Sequence, residues 1–233
     1  MREIKILGIL ILTGIVYLGF NFAIESISAE PSDIVVEYTF SQPKIERIEE
    51  YDRITIPDRE IYLFGRPGEP LLPYKTVKIL LPQGRLLQDI IVTGIDETII
   101  EGTYRIEPAQ KPVPISKPEE FKWTEPDPLI YASSNPYPEK LYSDWSIQTL
   151  RGFKILVFQI YPVRYIPKEG IISYFKRIVV EIKTVSSPEV SIEEKGIHKR
   201  KAVKIRGFKF DKDKERIRGV VDNPQKIETY RPK

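Results

Sequence analysis

Cysteine is absent from the 233 residues, and His198 is the only histidine. No disulfide framework, thiol nucleophile or thiolate metal site can therefore form within the chain. A Ser-His-Asp triad would have to use His198, which sits in the basic stretch "GIHKRKA". So basic and solvated a stretch is expected to offer no apolar packing to fix an imidazole as such a triad requires. Glycine-rich phosphate loops are also missing. Gly65 and Gly68 come nearest, but Pro67 and Pro70 remove backbone donors that a phosphate would need. No Asn-x-Ser/Thr acceptor for glycans occurs. Outside the N-terminal run, no segment sustains a 3.6-residue apolar period over three turns.

Acidic clusters offer little more. Asp211, Asp213 and Glu215 have calcium-loop spacing, yet Arg216 stands where the loop needs glycine and Asp222 where it needs glutamate. Glu119, Glu120 and Asp127 could form a carboxylate pair for glycoside hydrolysis, but acids in a proline-rich loop are ordinarily solvated. No cofactor and no metal are expected.

What is present favours strands. Hydrophobic residues make up 41% of the chain, enough for a core, alongside 20 prolines, 13 tyrosines and 10 phenylalanines. At the N-terminus, Arg2 and Lys5 precede an apolar run from Ile6 to Phe20, followed by Ser26, Ile27, Ser28 and Ala29. Basic, apolar, small is the order of a signal peptide, with cleavage expected after Ser28 or Ala29. An uncleaved anchor is the alternative, and the membrane is then touched only through this segment. Either way the remainder is expected to be secreted or held at the cell surface.

Short β-type segments fill residues 33–107. "GRPGEPLLPY" (65–74) reads as a type II turn at Pro67-Gly68, followed by an extended approach to a strand. In "YKTVKILLPQG" Tyr74, Thr76 and Lys78 share one face, with Val77, Ile79 and Leu81 on the other. "LQDIIVTGID" and "ETIIEGTYRIEP" read as two strands, Gly94 and Gly102 marking turns or bulges. Eight prolines between Pro108 and Pro138 rule out a persistent helix or central strand. Residues 108–142 are therefore expected as an extended, partly packed crossover. "LRGFKILVFQIYPVRYIP" (150–167) is apolar on both faces, the mark of a strand buried between layers. With the turn at Pro167–Gly170 it predicts a long β-hairpin at about 150–184. The whole reads as an all-β, antiparallel sandwich or barrel-like fold.

Net charge is +3, and residues 192–233 carry a local balance of +7. This predicts an irregular basic C-terminal tail, a solvated linker over 186–233 rather than a nucleic-acid site. Lys199, Arg200, Lys201 and Arg206 lie in it as candidates for cleavage by a trypsin-like protease.

Several stretches in order, "GRPGEPLLPYKTVKILLPQG", "EGTYRIEPAQKPVPIS", "EPDPLIYASSNPYPEKLY" and "LRGFKILVFQIYPVRYIPKEGIISYFKRIVVEI", resemble the N-terminal propeptide of gingipain-type cysteine endopeptidases. The closing "VDNPQKIETY" is similar to the joint leading into the catalytic domain of such precursors. The resemblance implies a signal peptide over 1–29, an all-β propeptide domain over 30–185 and a linker over 186–233 toward a catalytic domain outside the chain. It implies a folding aid and inhibitor of the protease, removed by cleavage and without enzymatic activity. The partner would be the catalytic domain, in cis or in trans. Inhibition would place a loop Arg or Lys in an acidic specificity pocket; Arg151, Arg66 and Lys140 are candidates because turn-forming neighbours should expose them. The competing reading is a cell-surface β-sandwich for binding or adhesion, with the N-terminus retained as an anchor.

Overall fold

The computed structural model describes residues 32–186 and 210–231. The expected signal cleavage at Ser28 or Ala29 and the processing candidates Lys199, Arg200, Lys201 and Arg206 lie outside them. Ten strands follow in order: β1 (Ser32–Thr39), β2 (Lys44–Ile48), β3 (Tyr51–Thr55), β4 (Ile61–Phe64), β5 (Leu72–Leu80), β6 (Arg85–Ile100), β7 (Ser146–Leu150), β8 (Phe153–Ile160), β9 (Val163–Ile166) and β10 (Ile171–Ser186). Helix α1 (Pro128–Tyr131) lies in the proline-rich crossover, and α2 (Phe210–Arg218) opens the C-terminal segment.

All strand pairing is antiparallel. One sheet has the order β1-β10-β6, with β9 also on β10; another has the order β4-β5-β8-β7; β2 and β3 form a separate hairpin. The two larger sheets share one apolar core and form an open sandwich, not a closed barrel. Alternation explains which face is inside. Val77 and Ile79 of β5 are buried opposite Phe158 and Leu156 of β8, while Ile178, Val180 and Ile182 of β10 bury theirs beside Ile34 of β1. Each such side chain contributes roughly 1.5–3 kcal/mol when fully buried.

Three expectations need correction. The long hairpin at 150–184 is divided between sheets: β8 pairs with β5 and β7, and only the four residues of β9 pair with β10. Pro162 stands at the change of sheet, where its missing N–H cannot continue a ladder. The turn at Pro167–Gly170 is where it was expected. Second, residues 85–100 are one strand, not two. Gly94 makes no turn; it leaves room for a ring, since a Cβ there would lie 2.4 Å from Phe175 Cδ1.

Third, residues 210–231 are not an irregular linker. Ile217, Val221, Ile227 and Tyr230 are buried against Leu80, Phe153 and Ile155, on the face of β5 and β8 that points away from the main core. This supplies the second layer that the two-sided β8 demanded. A segment dominated by charge can dock because its few apolar residues converge on one side.

Candidate functional site

The proline-rich crossover is tied to the body at both ends. Ala109 exchanges backbone bonds with Gly68 (2.9 Å) and Glu69 (2.8 Å), and Leu71 N–H donates to the Glu107 carbonyl at 2.9 Å. Gly68 has φ +89°, and Glu69 N–H closes on the Arg66 carbonyl at 2.9 Å, as the expected type II turn requires. Farther along, Asp127 caps α1 by accepting from Leu129 N–H, and the Tyr131 hydroxyl donates to the Ile106 carbonyl at 2.8 Å. Tyr137 exchanges two backbone bonds with Tyr165. The crossover therefore lies along the body, as its aromatics indicated.

Between these anchors residues 111–123 are exposed, apart from a half-buried Val113. Gln110 and Thr124 close the base reciprocally: Thr124 N–H donates to Gln110 Oε1 at 2.8 Å, and Gln110 Nε2 donates to the Thr124 carbonyl at 3.2 Å. Pro112, Pro114 and Pro118 stiffen the excursion. It exposes apolar groups: Ile115 entirely, with Phe121 and Trp123 about half exposed (49% and 46%). Trp123 packs on Tyr51 at a ring-centroid distance of 5.8 Å, which fixes the end of the loop. Phe121 has extended backbone (φ −63°, ψ 125°). Lys122, between those two aromatics, is exposed and has no ion-pair partner among the described residues. Lys117 is also exposed but bonds Glu120 at 2.7 Å.

The three basic residues proposed from sequence lie in three different connections between elements. Arg66 is exposed on the rim of a groove of about 260 Å³ formed with Phe64, Glu69, Leu72, Tyr137, Pro138 and Tyr161. In that groove the Tyr137 hydroxyl donates to Glu69 Oε2 at 2.8 Å. Burial, reinforced by this bond, pushes Tyr137 well above the ordinary phenol range. Lys140 is exposed, but the next residue, Leu141, is buried, so its backbone runs against the body. Arg151 sits at φ +54° in the β7–β8 turn, and its guanidinium bonds the buried Asp213 of α2 at 2.6 Å. Of the three, Arg66 lines the groove and Lys140 and Arg151 do not. Lys122 was not singled out from sequence; the available signal was a lysine flanked by aromatics just after a run of prolines.

A family model, Propeptide_C25, matches residues 21–215. The chain belongs to this family, the propeptides of gingipain-type cysteine endopeptidases. Two solved structures share its fold. One, from work on the zymogenic latency of gingipain K from Porphyromonas gingivalis, is 18% identical, has a TM-score of 0.56, and aligns over 70% of this chain and 96% of that one. The other, a complex of Porphyromonas gingivalis RgpB pro- and mature domains, is 18% identical with a TM-score of 0.53, over 67% and 82%. None of the curated proteins compared matches the chain.

As a propeptide of this family, the chain corresponds to the non-catalytic part of a protease precursor. Its exposed loop lies inside the family match, whereas Val221 to Tyr230, which pack on β5 and β8, lie beyond residue 215. Among the described residues no helix is long and apolar enough to cross a membrane.

Proposed function

We propose that this propeptide is exported, assists folding of a gingipain-type cysteine endopeptidase and holds it inactive until cleaved, with no hydrolytic activity of its own. The partner is the catalytic domain, in cis or in trans. The observation that carries the reading is the loop 111–123, which presents an exposed Lys122 between half-exposed aromatics, the first of them, Phe121, on extended backbone. Proteases take peptides in extended form, and a loop already held in shape spares the ordering cost of binding. An unpaired ammonium suits an acidic specificity pocket, and Phe121 and Trp123 supply apolar contact on either side.

Lys117 is second to Lys122, because it must first leave Glu120. Arg66 and Lys140 are exposed without that presentation, and Arg151 is occupied with Asp213. Separation of propeptide and protease is assigned to the basic residues Lys199, Arg200, Lys201 and Arg206. The cell-surface adhesion reading has no observation favouring it.

The test mixes purified residues 30–233 with a gingipain-type catalytic domain and follows hydrolysis of a peptide substrate. Slowing at or below micromolar concentration is expected. Undiminished hydrolysis at large excess overturns the reading.

A further inference from the structure

The free edge of β5 is closed by two side chains rather than by a strand. β4 pairs with β5 only as far as Lys75, so the backbone groups of Lys78 and Leu80 on that edge have no strand partner. The dipeptide Asp222-Asn223 supplies one. Asp222 N–H donates to the Lys78 carbonyl at 2.9 Å, and its carboxylate accepts from Lys78 N–H at 2.9 Å. Asn223 accepts from Leu80 N–H at 2.7 Å and donates to the Leu80 carbonyl at 3.0 Å. All four polar groups are satisfied, and Asn223 is fully buried.

Around this clamp the apolar contacts are equally closed. Ile217 and Ile227 are fully buried, and the Tyr230 ring lies on Phe153 at a centroid distance of 4.5 Å. The Tyr230 hydroxyl donates to the Leu81 carbonyl (2.8 Å) and accepts from Lys154 N–H (3.0 Å). The Tyr38 hydroxyl adds a bond to Asp222 at 2.7 Å. None of these contacts involves residues 187–209, which join the segment to β10 along the chain.

We propose that the faces of β5 and β8 turned away from the main core form a peptide-binding site whose occupant is the chain's own segment 210–231, held by contacts that do not need the covalent link to residue 209. A cut among Lys199, Arg200, Lys201 and Arg206 then nicks the chain without separating it. Whatever is joined to the C-terminal side of Tyr230 stays on the propeptide body until the segment undocks or a second cut falls beyond it. This consequence for latency rests on the function proposed above; the retention itself does not.

The experiment introduces a site-specific endoprotease sequence between Glu194 and Gly196 in the full chain. Complete cutting is verified by mass spectrometry, and the product is run on size exclusion at micromolar concentration. Body and C-terminal fragment are expected to elute together in one-to-one ratio. A synthetic 210–231 peptide carrying a fluorophore should exchange into the nicked complex, and Asn223→Ala in that peptide should weaken uptake by about tenfold or more, as two buried backbone partners are lost. Separate elution of the fragment overturns the proposal. Equal uptake of wild-type and Asn223→Ala peptides overturns the role of the clamp. No protease partner enters the assay, so a failure of retention and a failure of inhibition are told apart.

Discussion

Asn223 satisfies both backbone groups of Leu80 with one side chain, at 2.7 Å and 3.0 Å and fully out of solvent. Alanine at 223 would strand a buried N–H and a buried C=O, each costing about 1–3 kcal/mol. Asn223→Ala should therefore lower unfolding stability by roughly 2–6 kcal/mol in urea titration of the intact chain, by that same principle. Asn223→Asp keeps the acceptor and loses the donor, and should fall between. A loss below half a kilocalorie in the alanine variant would refute the clamp.

How much of this could be seen beforehand differs between faces of the same strand. Val77 and Ile79 alternate with Thr76 and Lys78, so the inner face of β5 was legible. The two-sided β8 also announced an outer layer, but not which residues form it. In α2 Ile217 is the one apolar residue of the buried cluster, and the remaining contacts come from Val221, Ile227 and Tyr230, at no regular spacing. Charge density argued for solvation, and it took tertiary convergence to override that. Gly94 posed a different difficulty: the ring that needs its empty space belongs to Phe175, 81 positions away. Lys122 stands out only once Phe121 and Trp123 beside it are known to be half exposed.

Gly94→Ala places a methyl where the Phe175 ring lies. Neither β6 nor β10 can give way easily, since Ile178 pairs with Gly94 in the middle of their ladder. Overpacking of this kind costs about 1–3 kcal/mol. The melting temperature should drop accordingly, and Phe175→Leu combined with Gly94→Ala should lose less than the two single changes added together. Strict additivity would show that the ring and the glycine are not coupled.

Tyr38, Tyr131 and Tyr137 are all held above the ordinary phenol range, first of all by burial, with Asp222 and Glu69 adding to it at Tyr38 and Tyr137. In the unfolded chain these phenols ionise near pH 10. Below that pH both states keep the proton and stability is unaffected. Above it the unfolded state releases protons that the folded state retains, so stability falls as pH rises. Unfolding free energy should be flat from pH 7 to 9 and then decline, by about 1.4 kcal/mol per pH unit for each such tyrosine. Tyr38→Phe should reduce that slope by one proton's worth while lowering stability at neutral pH through loss of the bond to Asp222. An unchanged alkaline slope in the phenylalanine variant would contradict the assignment.

The inhibitory role proposed for the loop makes two separable demands, an exposed charge at Lys122 and a fixed base. Lys122→Ala removes the charge from an exposed position that contributes nothing to the core, so stability should hold while the inhibition constant rises by about thirtyfold, the ~2 kcal/mol typical of an interface hot spot. Lys117→Ala and Arg151→Ala should change inhibition far less. Gln110→Ala leaves Lys122 in place but opens the base, where Gln110 both accepts from Thr124 N–H and donates to the Thr124 carbonyl. Its effect should be smaller than that of Lys122→Ala and should arise because binding must now order the loop. Combining the two should then cost little more than Lys122→Ala alone, since a loop without its charge gains less from being held in shape. Full inhibition by Lys122→Ala with loss in Arg66→Ala would move the contact to the groove beside Tyr137, and with loss in Lys140→Ala to the end of the crossover.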